Sequence, residues 1–225
     1  RYAATAAIDG PTPADDFHRD YARRLDLGEG KEAYVEAMRR LDEVNGRVER
    51  ELSGIGFCFA GSWTKRPGML WIRNWKPENL VGIRDEFNAI AALLATVRGG
   101  AMEEGREYLD FLINRIGCSA IHLDAIGNLI ALTPICDDAA PEKLGEEGRK
   151  EVIRRCDAAS QSVNEYLHLH AQMIADRGCE GTLISYHNVI PAFIRKVRTV
   201  FGGAPDATQP IPEGGRDAPP APRPE

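Results

Sequence analysis

The chain has 225 residues, 43% of them hydrophobic and 28% charged, which is enough apolar material for one sizeable core with at most a small appendage. Twenty-eight Lys plus Arg against 34 Asp plus Glu leave a net charge of −6, so no general attraction for nucleic-acid backbones or anionic lipid is expected. The composition also excludes wholesale disorder and a disulfide scaffold.

Residues 1–14 contain Gly10-Pro11-Thr12-Pro13 and little that packs, so they are expected as an extended N-terminal arm. From Asp15, the apolar series Phe17, Tyr21 and Leu25 predicts a short amphipathic helix ending at Gly28. Lys31 to Leu52 continues with Tyr34, Met38, Leu41, Val44, Val48 and Leu52 on one stripe. At 1.5 Å per residue that helix is about 33 Å long. Helical period then disappears over residues 55–76, which hold all three tryptophans among glycines and a Pro67-Gly68 pair. An irregular aromatic insert or a β-hairpin fits this stretch, the one region where strands are expected.

Pro77 at a first helical position starts the series Leu80, Ile83, Phe87, Ile90, Leu94 and Val97, stopped by Gly99-Gly100. Met102 to Ile116 follows as a helix with Tyr108, Leu109, Leu112, Ile113 and Ile116 inward, and Gly117 reads as its C-cap. Ser119 would cap a further, more uniformly apolar helix to Leu132, stopped by Pro134. The most apolar run, Ile116 to Cys136, is interrupted by His122, Asp124 and Asn128. It reads as a buried core helix, with no conventional transmembrane span.

A polar loop from Asp137 leads to the longest periodic segment, Gly148 to Arg177, whose stripe is Ile153, Cys156, Ser160, Val163, Leu167, His170 and Ile174. That seam suits packing in a bundle or against a partner helix. Thr182 to Phe201 closes the folded part, with Pro191 expected to kink it. The fold class is therefore all-α: an irregular bundle of about seven helices over 15–201, with arms at 1–14 and 202–225. Gly202 to Glu225 holds seven prolines and one large aliphatic residue, Ile211. Such a tail cannot bury enough surface to order itself and is expected to grip other chains.

Chemistry-bearing residues are sparse. Glu165-x-x-His168 has the spacing that places a carboxylate and an imidazole on one helix face, as metal-binding bundles require, but no second copy occurs. His168 and His170 point about 200° apart on a helix and cannot share an ion. Cys118, Ser119 and His122 offer a nucleophile and base without an elbow or oxyanion loop around them. The Walker, dinucleotide, zinc-hydrolase and Ca²⁺-loop motifs are absent, so no cofactor is expected. Arg115 and His122, with six residues between them at an expected helix junction, resemble the Arg-x4-6-His signature of the HEPN helical ribonucleases. In that family the pair would line a cleavage site at a dimer cleft. The resemblance covers these two residues alone, and Ile116 stands where a polar residue usually follows the Arg. The alternative places Arg115 near a helix C-terminus, complementing the dipole.

Partner-binding residues are expected in the insert, where Trp63, Trp71 and Trp75 alternate with Lys65, Arg66, Arg73 and Lys76, and at Ile211 in the tail. Aromatic rings with Arg suit a docking patch; core packing and insertion at a lipid interface are the alternatives. Five cysteines, odd in number and widely spaced, fit a reducing compartment. The sequence begins at Arg1 without an initiator Met and lacks acidic residues to Ile8, as the stub of a processed organelle-targeting sequence would; a truncated chain is the alternative explanation of the missing Met. These features lead to the expectation of a non-catalytic accessory subunit of a large assembly, in the first instance a mitochondrial inner-membrane complex such as ATP synthase or a respiratory complex. A helical nuclease or metal-binding enzyme and a peripheral membrane module are the alternatives.

Overall fold

The computed structural model describes residues 13–52, 76–136, 143–174 and 180–202. Its elements are α1 (Ala14–Arg24), a 3-10 turn (Gly28–Gly30), α2 (Lys31–Leu52), α3 (Pro77–Arg98), α4 (Glu103–Ile130), the single turn α5 (Thr133–Cys136), α6 (Glu146–Ala171) and α7 (Glu180–Val197), which runs into a π turn, Arg198–Gly202. No strand occurs among the described residues. The expected extended segment 1–14 lies outside them up to residue 12. The insert 55–76 lies outside up to residue 75, and the tail beyond Gly202 lies outside entirely.

Periodicity placed most core positions correctly. All six apolar residues of the α3 stripe are buried, as are Tyr34, Met38, Val44, Val48 and Leu52 of α2, so each helix lays a continuous apolar face on its neighbour. The principal packing is α1 on α2, α2 on α3, α3 on α4, α4 on α6 and α6 on α7. Ion pairs bind the polar edges of these contacts. Arg40 meets Glu86 at 2.7 Å across α2 and α3, and Arg84 meets Asp124 at 2.8 Å across α3 and α4. Each is worth at most about 1 kcal/mol at such partly exposed positions.

Three expectations are corrected. The helices expected over 102–116 and 119–132 are one uninterrupted 28-residue helix, α4, so the described residues hold six helices and a single turn, close to the about seven expected. Gly117 is no cap. A Cβ there would come within 2.9 Å of the Leu169 side chain, so the glycine makes room for α6. Ser119 caps nothing either; its Oγ lies 3.5 Å from the Arg115 carbonyl oxygen one turn back, the usual outlet for a mid-helix serine. Secondly, the buried stripe of α6 is Val152, Cys156, Ala159, Val163 and Tyr166, one position off the expected series at three of its turns. It is covered by α4 and α7 of the same chain, so that seam is occupied. Thirdly, α1 ends at Arg24 and not at Gly28. The chain turns through Asp26 (φ 48°) and Gly28 (φ 56°), both in the left-handed region, before the 3-10 turn.

That turn seats against the start of α4, where Gly105 faces the Leu25 carbonyl. A Cβ on Gly105 would press into that carbonyl oxygen and lie 3.2 Å from Leu27 Cδ2, with Leu27 itself fully buried. Gly105→Ala is therefore expected to destabilise the protein by about 1–3 kcal/mol. On helix propensity alone it should stabilise by up to about 1 kcal/mol. Urea denaturation of the two proteins decides the sign.

α4 is the central helix. An 18-residue window within Glu103–Cys136 has a mean hydropathy of 1.4, so by length and composition this segment is apolar enough to cross a membrane, contrary to the sequence expectation. In the bundle 59% of that window is buried against other helices. No other helix among the described residues passes the same test.

Candidate functional site

The one buried charged or polar side chain among the described residues is His122 on α4. It sits where α4, α6 and α7 meet. His122 Nδ1 and the Tyr186 hydroxyl of α7 share a hydrogen bond of 2.8 Å. Tyr186 stacks on Tyr166 of α6 with ring centroids 4.0 Å apart, and Tyr166 stacks in turn on His170 at 5.6 Å. The four rings form a column from the half-buried His170 inward to His122. Cys118, one turn before His122, turns its Sγ toward the Tyr166 carbonyl oxygen at 3.9 Å.

Burial sets the protonation of this cluster. The His122 imidazole is pushed down to about 4, because a charged ring would lose its hydration there. The Cys118 thiol is pushed up to about 11 and the Tyr166 hydroxyl to about 12, in both cases mainly by burial. At neutral pH the column is uncharged. His170 is lowered by its own burial and by the nearby Arg115 cation.

Arg115 and His122 therefore occupy very different surroundings. On the continuous α4 they lie two turns apart along nearly the same line, about 10.5 Å along the axis. Arg115 is exposed and His122 is inside, bonded to Tyr186. Cys118, Ser119 and His122 do not form a nucleophile and base: the thiol is held protonated, and Ser119 is turned to its own backbone.

Glu165 and His168 are both exposed on the outer face of α6. They border a shallow open depression of about 720 Å³ that also includes Gln161, Asn164 and Gln172 and is closed at one end by the Arg198–Asp157 ion pair of 3.0 Å. Glu165 accepts a hydrogen bond from Gln161 Nε2 at 3.0 Å. His168 and His170 diverge as their spacing requires, His170 lying on the Tyr166 ring. No group of three or more His, Cys, Asp or Glu among the described residues is placed to hold a metal ion. A smaller cleft of about 310 Å³ opens between α3, α4 and α6. Its two arginines are already engaged, Arg84 by Asp124 and Asp85 and Arg155 by Glu151 and Asn128.

Trp63, Trp71, Trp75, Arg73 and Ile211 lie outside the described residues. Sequence reasoning missed Tyr166 and Tyr186 as partners of His122. Tyr166 lies one position beside the expected α6 stripe, next to Leu167. Choosing the Val152–Cys156–Ala159–Val163–Tyr166 series would have put an aromatic ring on the buried side. No protein-family model, no curated protein and no solved structure matches this chain.

Proposed function

We propose that this chain is a non-catalytic structural subunit of a multi-protein assembly, joined to its neighbours through helix faces and the segments at 1–14, 55–76 and 202–225. The observation that supports this reading best is the use made of His122. The imidazole that the sequence offered as a catalytic base is sealed at the junction of three helices and bonded to Tyr186, so it serves to fix α7 on the bundle. Elsewhere the polar surface of α1 to α3 is engaged in ion pairs such as Arg19 with Glu32 and Arg39 with Glu36. The setting we propose is a mitochondrial inner-membrane energy-transducing complex, where the odd-numbered, widely spaced cysteines would suit a reducing compartment.

Affinity purification from native membranes followed by mass spectrometry tests the proposal. Recovery in fixed stoichiometry with subunits of such a complex is the expected result. Recovery as a lone protein overturns the assembly reading, and recovery with the subunits of an unrelated complex overturns the mitochondrial setting.

A further inference from the structure

The cleft of about 310 Å³ between α3, α4 and α6 has an apolar wall made by Pro77, Leu80 and Val81 of α3 and by Leu123 and Gly127 of α4. Part of that wall is uncovered. Val81 is 46% exposed, and a Cβ on Gly127 would meet nothing within 4 Å. No neighbour in the bundle requires Gly127 to be small, although glycine in a helix interior is locally unfavourable. The space it leaves belongs to the cleft. The polar rim sets what that space accepts. All three guanidinium nitrogens of Arg84 are bonded to Asp85 or Asp124, and Arg155 is bonded to Glu151 and Asn128. With their charge and N–H edges engaged in this way, the two arginines offer an entering group chiefly their planar faces, which stack on aromatic rings. The cleft therefore suits a neutral ring better than an anion.

Such a ring is adjacent in the chain. Residues 53–75, outside the described residues, join Leu52 to Lys76, and Trp75 is the last of them. Lys76 is the N-cap of α3 and is extended, with φ −83° and ψ 126°. Trp75 is thus the residue before the cap, and Leu80, on the cleft wall, is the fourth residue of the helix. Apolar side chains at these two positions commonly pack on one another as a hydrophobic staple, which fixes how the chain enters the helix. Two Cα–Cα steps of about 3.8 Å hold the Trp75 Cα within about 7.6 Å of the Pro77 Cα. The indole needs no long excursion to reach the cleft.

We propose that this cleft is the docking site for the Trp75 indole of the same chain, which lies on Leu80 and Val81 and over Gly127 and so anchors the end of the 53–75 segment at the start of α3. Trp63 and Trp71 are left to the neighbours of the proposed assembly. The inference does not depend on which larger assembly the protein joins.

The three tryptophans of the chain are Trp63, Trp71 and Trp75, so in the full chain carrying Trp63→Phe and Trp71→Phe all indole fluorescence comes from position 75. The expected result is short-wavelength emission, as from an apolar site, and protection from quenching by acrylamide. In that background Gly127→Leu fills the cleft while favouring α4 on helix propensity. It should shift the emission to that of solvated indole and remove the protection. Val81→Asp, at an exposed position on the cleft wall, should do the same. Gly181→Leu, at a helical glycine of α7 that also has open space around it, should leave both readings unchanged, and helical circular dichroism shows that each variant folds. Solvated emission before any cleft substitution overturns the proposal. So does short-wavelength emission that persists in Gly127→Leu and Val81→Asp, which would bury the ring elsewhere. A red shift shared by Gly181→Leu, or protection lost on dilution, which would give the cleft to the ring of a second copy, overturns it equally.

Discussion

Ile126→Ala is expected to cost about 2–5 kcal/mol of stability, while Phe111→Ala, the larger truncation on the same helix, should change stability by no more than about 0.5 kcal/mol. Ile126 is fully buried on α4. Removing its outer carbons loses their transfer free energy and leaves a cavity that packed neighbours on α3 and α6 cannot fill. Phe111 is 44% exposed, so much of its ring remains in water in the folded state. The contrast also bears on the apolar character of α4: a helix whose stripe faces a bundle must show this asymmetry between its sides. Urea unfolding of the two variants measures it, and similar losses at both positions would mean that α4 is enclosed all round.

A second large effect is expected on acidification. In the unfolded chain His122 should take up a proton near the ordinary 6.5, while in the folded chain it does so near 4. Between these values the unfolded state binds more protons, so folding stability falls as pH is lowered. The whole interval corresponds to about 3 kcal/mol, complete below pH 4 and absent above pH 7. Much of this change precedes the acid range in which Glu32, Glu51, Glu86 and Asp110 lose their ion pairs, since those carboxylates are themselves held low by their arginines. His18 and His170, lowered by partial burial, act in the same direction. Chemical denaturation at a series of pH values should therefore show a steep decline from 6.5 to 5 in the wild-type chain. His122→Gln, which keeps a hydrogen-bonding group for Tyr186 and does not titrate, should show a shallower one. Equal slopes would rule out His122 as the source.

How much of this was legible in the sequence depended on whether a helix carries one apolar stripe or two. α3 alternates strictly, and its six inward positions follow from spacing alone. α6 offers two adjacent stripes of three-and-four spacing. The expected stripe contains Ile153, Ser160 and Leu167, whereas the buried one contains Val152, Ala159 and Tyr166. The choice was settled by α4 and α7 flanking the helix, which local pattern cannot express. The false junction at Gly117 and Ser119 has the same origin. Each residue favours a helix end on propensity, yet close packing of α4 on Leu169 outweighs a local penalty of about 1 kcal/mol. The pairing of His122 with Tyr186 joins positions 64 residues apart and left no local trace. Glu165 and His168, by contrast, were visible as a pair because both sit on one helix.

The neighbour-to-neighbour order of packing has a kinetic consequence. Since each long helix contacts chiefly the one before or after it in the chain, native contacts form between segments close in sequence and little loop entropy is lost before each one closes. Such low contact order belongs to proteins that fold in about microseconds to milliseconds. During synthesis, α1 to α4 can bury their stripes against one another while α7 is still unmade. His122 must then wait for Tyr186, the hydrogen-bond partner that α7 brings.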